Sequence, residues 1–243
     1  TGMVYVPAGE FIMGSDRGKG NEQPAHTVYL DAFYIDKYEV TNAQYRECVE
    51  AGVCSAPSDI TNYASTDYAQ HPVVHVNWND ADTYCRWAGK RLPTEAEWEK
   101  AACGTGGWIY PWGNTFDGSK LNYCDKNCSE GWRDAFVDDG YAGTAPAGSY
   151  PAGVSPYGAL DMAGNVWEWV ADRYASDYYS QSPERNPQGP DSGELAPDSS
   201  ELGVLRGGSW QDGQEDLRCA VRFRYSLRNR YSAVGFRCVR GSL

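Results

Sequence analysis

The eight cysteines are the side chains with the widest chemistry in this sequence, because a cysteine can bind a metal, attack a substrate or form a disulfide. Zinc sites need Cys or His ligands at close spacing. No two cysteines here have Cys-x-x-Cys spacing, and the only histidines are His26, His71 and His75. The even cysteine count therefore predicts disulfides and a secreted, periplasmic or cell-surface location. The alternative is a set of buried free thiols in a reducing compartment.

Other catalytic constellations are missing from the sequence. It contains no Gly-x-Ser-x-Gly elbow, phosphate-binding loop or dinucleotide fingerprint. Glu95 and Glu99 lie four residues apart on a predicted helix, and we expect them to be solvated rather than paired for acid–base work. We assign no catalytic residue.

The net charge of the chain limits which classes of partner it is expected to bind. The 243 residues carry a net charge of -12. Non-specific binding to nucleic-acid phosphates is disfavoured for so acidic a chain, so we expect no nucleic-acid partner. A divalent cation is a more natural partner, and the alternative is an acidic surface that keeps the protein soluble. No apolar run reaches the ~20 residues of a membrane span.

Short strands and three helices are predicted to position the polar groups. The predicted strands cover residues 3–14, 26–30, 33–40, 204–206 and 234–239. Two helices are expected to begin at capping boxes, at Thr41 and Thr94, and a third to run from Asn77 to about Gly89.

The rest of the chain is predicted to be loop. Residues 104–160 are rich in Gly, Pro, Asn and Tyr, which indicates an ordered loop. A polar, proline-rich stretch at about 175–203 predicts a long surface loop. Because no linker interrupts the sequence, we expect residues 1–243 to form a single domain.

Eight motifs, in order along nearly the whole chain, resemble one protein family. They are Val6-Pro7-Ala8-Gly9 with Met13-Gly14-Ser15, Tyr38-Glu39-Val40-Thr41-Asn42, Pro72-Val73-Val74-His75-Val76, the run from Trp87 to Glu99, Tyr110-Pro111-Trp112-Gly113-Asn114, Gly164-Asn165-Val166-Trp167-Glu168-Trp169, Arg206-Gly207-Gly208-Ser209-Trp210, and Gly235-Phe236-Arg237. They resemble the formylglycine-generating enzyme (sulfatase-modifying factor) family. The resemblance implies an α+β, C-type-lectin-like fold that is loop-rich, with little regular secondary structure.

The resemblance also identifies chemistry that this chain lacks. Active members of the family oxidise a client cysteine to formylglycine, using copper held by two reactive cysteines. Those cysteines lie between the Gly-Gly-Ser motif and the cysteine that corresponds to Cys219, and residues 211–218 contain none. Since copper(I) prefers thiolates, we expect no copper here.

The same resemblance implies a use for the cysteines. It pairs Cys85 with Cys238 and Cys103 with Cys219. Cys48 and Cys54 flank the end of a predicted helix, and Cys124 and Cys128 flank a tight loop, which indicates two local pairs.

Two stretches resemble calcium sites of the family. The first consists of Asp161, Gly164, Val166 and Glu168, and the second of Asn122, Tyr123, Asp139 and Tyr141. Calcium takes about six to eight oxygen ligands and accepts carbonyls as well as carboxylates. We expect structural calcium at one or both stretches. The alternative is that Asp161 and Glu168 accept hydrogen bonds from turn amides or arginines.

Arginine and aromatic residues concentrate near the C-terminus, where the family forms its substrate groove. Arg and Tyr are typical of binding hot spots. The segment also resembles the variable region of proteins diversified by diversity-generating retroelements. The alternative for Arg206, Arg222 and Arg237 is pairing with acids of the core. The candidate ligand-binding residues are Trp210, Gln211, Asp212, Gln214, Phe223, Tyr225, Arg230, Tyr231 and Ser232.

These observations predict a non-catalytic ligand-binding or display domain. We expect a monomer that recognises a protein or glycan through residues 210–233. One alternative is an oxidoreductase of the same family that uses other active residues, although three scattered histidines argue against a His-based iron site. The other is a structural or regulatory subunit.

Overall fold

Nine strands and four helices make up the regular structure of residues 2–241, which a computed structural model describes. The strands are β1 Met3–Val6, β2 Gly9–Met13, β3 His26–Leu30, β4 Phe33–Asp36, β5 Trp167–Arg173, β6 Leu202–Arg206, β7 Phe223–Ser226, β8 Val234–Phe236 and β9 Val239–Gly241. The helices are α1 Asn42–Glu50, α2 Thr61–Ala64, α3 Trp78–Trp87 and α4 Glu95–Cys103. Long loops connect them, which confirms the predicted α+β, loop-rich fold.

The three predicted helices begin where the sequence indicates. Thr41 and Thr94 each accept a hydrogen bond from the amide three residues further on, and that residue's side chain accepts from the amide of the cap. Asn77 caps α3 in the same way. Each cap therefore satisfies amides that the first turn of a helix leaves without a partner.

The N-terminal strands pair with partners that the sequence did not indicate. β1 and β2 do not form a hairpin; β1 pairs with β4, and β2 pairs with β3. β4 also pairs with β9, so both ends of the described chain lie in one sheet, β1-β4-β9. β4 ends at Asp36 rather than Val40, whose amide bonds the Phe236 carbonyl instead.

A second sheet, in the order β7-β6-β5-β8, carries the C-terminal segment. Successive side chains of a strand face opposite sides of a sheet. Trp169 and Leu205 accordingly pack into one hydrophobic cluster, while Val170 and Val204 pack into another. The central strands are therefore buried on both faces, and β7, at the edge, keeps exposed side chains.

A buried ion network joins α4 to this sheet. Glu95 accepts from Arg222 at 2.7 Å and from Arg206 at 3.1 Å, and Arg206 also pairs with Glu99 at 2.5 Å. The prediction that Glu95 and Glu99 are solvated is therefore wrong: every residue of α4 is buried, so this helix has no solvent-facing side.

Ionisation inside the network is set by burial and by the arginines. Burial disfavours a charged Glu95, but Arg222 and Arg206 outweigh it and hold the pKa of Glu95 below its usual range. Burial raises the pKa of Glu99. Burial, with repulsion from Glu95, raises the pKa of Asp172 to about 8, so Asp172 is largely neutral at neutral pH.

Four disulfides crosslink the fold. Their pairs are Cys48–Cys54, Cys85–Cys238, Cys103–Cys219 and Cys124–Cys128, the same partners that the sequence indicated. The second and third join residues 153 and 116 positions apart, and they attach α3 and α4 to the C-terminal segment.

The connection between β5 and β6 is partly buried and is therefore not entirely a surface loop. Tyr178 and Tyr179 form part of a short 3-10 turn and are buried in the core, where burial strongly raises the pKa of Tyr179. Residues further along the connection are mostly exposed, as predicted for 175–203.

The predicted domain 1–243 extends past the described residues at both ends. Among the helices of the described chain, none is long and apolar enough to cross a membrane.

Candidate functional site

Four aromatic side chains, which we call the aromatic row, lie in contact from β5 across to β7 and the segment that follows β7. Trp167 stacks on Phe223 with ring centroids 5.2 Å apart, and Phe223 meets Tyr225 edge-on at 5.3 Å. Tyr225 in turn stacks on Tyr231 at 4.3 Å. Phe223 and Tyr231 are 37% and 39% exposed. Phe223 and Tyr231 thus present apolar ring surface to solvent, with the Tyr231 hydroxyl as a polar group, and aromatic residues of this kind are typical of recognition sites.

The alternation of β7 positions this row. Arg222, just before the strand, and Arg224 place their guanidinium groups over the Tyr174 ring, at 5.2 Å and 4.9 Å from its centroid. Phe223 and Tyr225 therefore point to the opposite side. Cation–π contacts hold Arg222 and Arg224 against Tyr174. The aromatic side chains of the same segment face the other way and can contact a ligand.

Asp212 lies at the Trp167 end of the row. Its carboxylate accepts from the Ser209 amide at 2.9 Å and from the Ser209 hydroxyl, and it contacts the Trp167 side chain. Burial raises the pKa of Asp212. The preceding turn needs glycine, because Gly208 has a φ of 75° and a Cβ there would lie 2.6 Å from the Leu217 side chain.

Other predicted ligand-binding residues border the row. Ser232 is exposed beside Tyr231. Arg230 forms a bidentate pair with Asp80 of α3, at 2.9 Å and 3.1 Å, so its charge is already compensated. The pair holds the 229–232 segment against α3 and thereby fixes the Tyr231 end of the row.

Two predicted residues, Gln214 and Trp210, have partners outside the aromatic row. The side chain of Gln214 bonds Tyr110, because the turn at 214–216 directs it toward the 104–120 loop. Trp210 is half-buried, and its amide donates to the Asn165 carbonyl at 3.0 Å. Neither side chain has a contact that places it in the aromatic row.

Two tryptophans of this face were not predicted from the sequence. Trp167 belongs to a quoted motif, but its position in the row depends on β5 lying beside β6 and β7. Trp132 comes from a loop without periodicity; it is 65% exposed, and its Nε1 donates to the Gln211 carbonyl at 3.1 Å. The only signal for Trp132 was the abundance of aromatics in the 104–160 loop.

The second predicted metal stretch forms part of a buried polar cluster. Asn122 is buried; its Nδ2 donates to Asn165 Oδ1 at 3.0 Å, and its Oδ1 has no hydrogen-bond partner among residues 2–241. Asp139 accepts from the amides of Tyr123 and Tyr141, and burial raises its pKa to about 6. A buried oxygen that lacks a donor, next to a desolvated carboxylate, fits an oxygen-seeking cation such as calcium.

The first predicted metal stretch does not fit calcium through Glu168. Both carboxylate oxygens of Glu168 accept from Arg237, at 2.6 Å to 3.0 Å, and one also accepts from Trp98 Nε1. Asp161 accepts from the Gly148 amide at 2.6 Å. The alternative reading, in which these acids are acceptors for an arginine and a turn amide, matches this geometry.

The two stretches meet in one cluster. A Cβ on Gly164 would lie 2.2 Å from the Asn122 carbonyl oxygen, so the Gly164–Val166 turn packs directly on the second stretch. Glu39, which sequence analysis did not single out, completes the cluster by accepting from Asn165 Nδ2 at 2.9 Å. Burial and the neighbouring Asp161 raise the pKa of Glu39 well above its usual range.

The states of the cysteines and acidic residues limit which groups are available among residues 2–241. All eight cysteines are in disulfides, so none is a thiol in this state. Within residues 2–241 no three His, Cys, Asp or Glu side chains converge as a metal site; the cluster around Asn122 offers amide and carbonyl oxygens as well. A cavity of about 760 Å³ lies between the 14–19 turn and the 104–114 loop, and no residue of the aromatic row lines it.

Comparison with known proteins shows similarity along almost the whole chain. Residues 1–242 match the sulfatase-modifying factor enzyme 1-like domain. The serine/threonine-protein kinase Pkn1 of Chlamydia caviae is 38% identical over 99% of this chain, which spans only 38% of that protein's length. The formylglycine-generating enzyme of Streptomyces coelicolor is 36% identical, with 98% of this chain and 88% of that enzyme covered. Variable protein 1 of Treponema denticola has a similar fold, with a TM-score of 0.75 at 23% identity over 98% of this chain and 94% of that one.

Proposed function

The chain belongs to the sulfatase-modifying factor enzyme 1-like family, and we propose that it is a non-catalytic domain that binds or displays a ligand through residues 210–233. The observation that carries this proposal is the aromatic row, with Asp212 at one end and the Arg230–Asp80 pair at the other. The ligand is a protein or a glycan, since both bind exposed aromatic side chains bordered by polar groups.

The cysteine chemistry supports the non-catalytic part of the proposal. Where active relatives carry the copper-binding pair, residues 211–218 contain no cysteine, and Cys219 is bonded to Cys103. Copper bound by the purified protein, or two titratable thiols in the unfolded chain, would instead favour an oxidoreductase.

The proposal also covers the location of the domain, its oligomeric state and the diversification of its ligand face. Four disulfides support a secreted, periplasmic or cell-surface location, and we propose that the domain acts as a monomer. The shared fold with a variable protein also motivates the proposal that residues 211–233 are diversified. A gene locus without a nearby reverse transcriptase and template repeat would contradict diversification and leave ligand binding untouched.

Removing single rings of the row should weaken ligand binding without unfolding the domain. Phe223→Ala and Tyr231→Ala each truncate a partly exposed hot-spot ring, so each should weaken binding by about 2 kcal/mol, or roughly thirtyfold. Arrays of glycans and of secreted proteins, probed with the wild-type domain, would supply the ligand for a titration with each variant.

A matched control is available on another face. Tyr5 is 50% exposed and lies on β1, in the other large sheet, so Tyr5→Ala removes a similar ring outside the proposed site. Equal losses from Tyr5→Ala and Phe223→Ala would reject residues 210–233 as the binding face.

We further propose that calcium binds at Asn122 and Asp139 in a structural role. The unpaired, buried Asn122 Oδ1 supports this site. Asn122 and Asp139 would supply side-chain oxygens, and Tyr123 and Tyr141 would supply carbonyls. When bound, the cation would balance the desolvated carboxylate and join two loops that have no ladder of hydrogen bonds between them.

Calcium should stabilise the wild-type protein and not a variant that lacks this oxygen. At a calcium concentration about 100 times Kd, linkage adds about 2.7 kcal/mol, which raises Tm by roughly 5–10 °C relative to EDTA. In Asn122→Ala the Tm should not differ between calcium and EDTA, whatever its absolute value. Asp31→Asn, an exposed acid elsewhere, should keep the full increment. An unchanged wild-type Tm would contradict the site.

A further inference from the structure

The loop formed by residues 123–141, which we call the 123–141 loop, connects the proposed calcium site to the ligand face. Among the described residues it contains no helix or strand. At its base, Asp139 accepts from the Tyr123 amide at 3.0 Å. At its far side, Trp132 Nε1 donates to the Gln211 carbonyl at 3.1 Å. One segment therefore contacts both sites.

The loop is held closed mainly by carboxylates that accept hydrogen bonds. Asp125 accepts from the Asp139 amide at 2.5 Å, and Asp134 accepts from the Tyr123 hydroxyl at 2.8 Å. Lys126 pairs with Asp138 at 2.6 Å, but this pair is exposed and contributes little. Asp125 and Asp139 repel each other at close range, so the base of the loop carries negative charge that a cation would offset.

The tip of the loop presents apolar surface that the fold does not bury. Phe136 is 99% exposed and Trp132 is 65% exposed. An exposed apolar side chain points to an interaction site where it extends a larger surface, and Trp132 adjoins the ligand face through its bond to Gln211. The Cys124 amide donates to the Asp212 carbonyl at 3.0 Å, so the loop also touches the residue at the Trp167 end of the aromatic row.

We propose that calcium at Asn122 and Asp139 orders the 123–141 loop and thereby seats Trp132 against Gln211 as one wall of the ligand face. This inference rests on the proposed calcium site and extends the proposed ligand face. A loop with few buried apolar contacts opens locally at low free energy, so a cation at its base would change its open population directly.

Limited proteolysis of the full chain tests this proposal with calcium as the only probe. Chymotrypsin should cleave after Phe136 in EDTA, and calcium should slow that cleavage at least about tenfold. The two products stay joined by Cys85–Cys238 and Cys103–Cys219, so they separate only on a reducing gel. Phe136→Ser should remove this cleavage and identify the site, and Asn122→Ala should abolish the calcium effect.

Tryptophan fluorescence tests the seating of Trp132 separately. Calcium should change the emission of the wild-type protein, and Trp132→Phe should lose that change while keeping the calcium increment in Tm. If calcium raises Tm but alters neither cleavage nor emission, the link to Trp132 is wrong and the calcium site stands. If calcium alters none of the three, the calcium site and this inference both fail, while the ligand face is judged by its own variants.

Discussion

Glu95→Gln should destabilise the protein by about 3–5 kcal/mol, lowering Tm by roughly 10 °C. Glu95 accepts two hydrogen bonds from Arg222 and one from Arg206, and all three side chains are almost fully buried. Glutamine keeps the shape and one acceptor but removes the charge. Two buried guanidinium groups would then face Glu99 alone, and burial already disfavours the charged form of Glu99.

The control for this variant is the same substitution at a half-exposed pair. Glu201 accepts from Arg173 at 3.0 Å near the surface, so Glu201→Gln should cost less than about 1 kcal/mol. Urea unfolding with the disulfides intact measures both variants. Similar losses for the two would mean that Glu95 does not compensate the buried arginines as the geometry requires.

The effect should extend to the ligand face. Arg222 immediately precedes Phe223, and it is held by Glu95 on one side and by the Tyr174 and Tyr179 rings on the other. The aromatic row is therefore anchored by an ion network on the opposite side of β7.

The sequence predicts those parts of this fold that depend on short-range chemistry. Capping boxes fix the starts of α1 and α4, because a cap needs only residues three positions apart. The pairing of β1 with β4 could not be predicted in this way, since partners across a sheet are chosen by the whole core. The burial of Glu95 and Glu99 escaped prediction for a related reason. Charged residues four apart normally mark a solvated helix face, and only distant arginines reverse that expectation.

The same distinction between short-range and long-range contacts applies to the candidate site. Phe223 and Tyr225 were predicted from their residue types and from the resemblance of the C-terminal segment to a binding region. Trp132 was not, since its place depends on a bond to Gln211, 79 residues further on. Glu168 shows the limit of spacing alone: its spacing from Asp161 suits a calcium turn, but its carboxylate also accepts a hydrogen bond from Arg237, 69 residues away in sequence. Local spacing identifies possible ligands of a metal, whereas long-range partners decide which of them are available.

Removing the Cys85–Cys238 disulfide should destabilise the protein more than removing Cys48–Cys54, although all four sulfurs are buried. The first pair closes a segment of 153 positions and the second a segment of 6. Because Cys103–Cys219 is nested inside the long segment, the loop that Cys85–Cys238 closes is shortened to about 40 residues. If the main effect is on the entropy of the unfolded chain, replacement of both partners by alanine costs roughly 4 kcal/mol for this loop and roughly 2 kcal/mol for the short one.

The comparison isolates loop length because the lost side-chain volume is the same in both double variants. Urea unfolding of the two, beside the wild type, gives the difference in free energy of unfolding. Equal losses would mean that the long disulfide acts through native packing of α3 on the C-terminal strands rather than through the unfolded state. A larger loss of stability for the Cys85–Cys238 variant would instead mean that this disulfide acts by reducing the conformational freedom of the unfolded chain in this loop-rich domain.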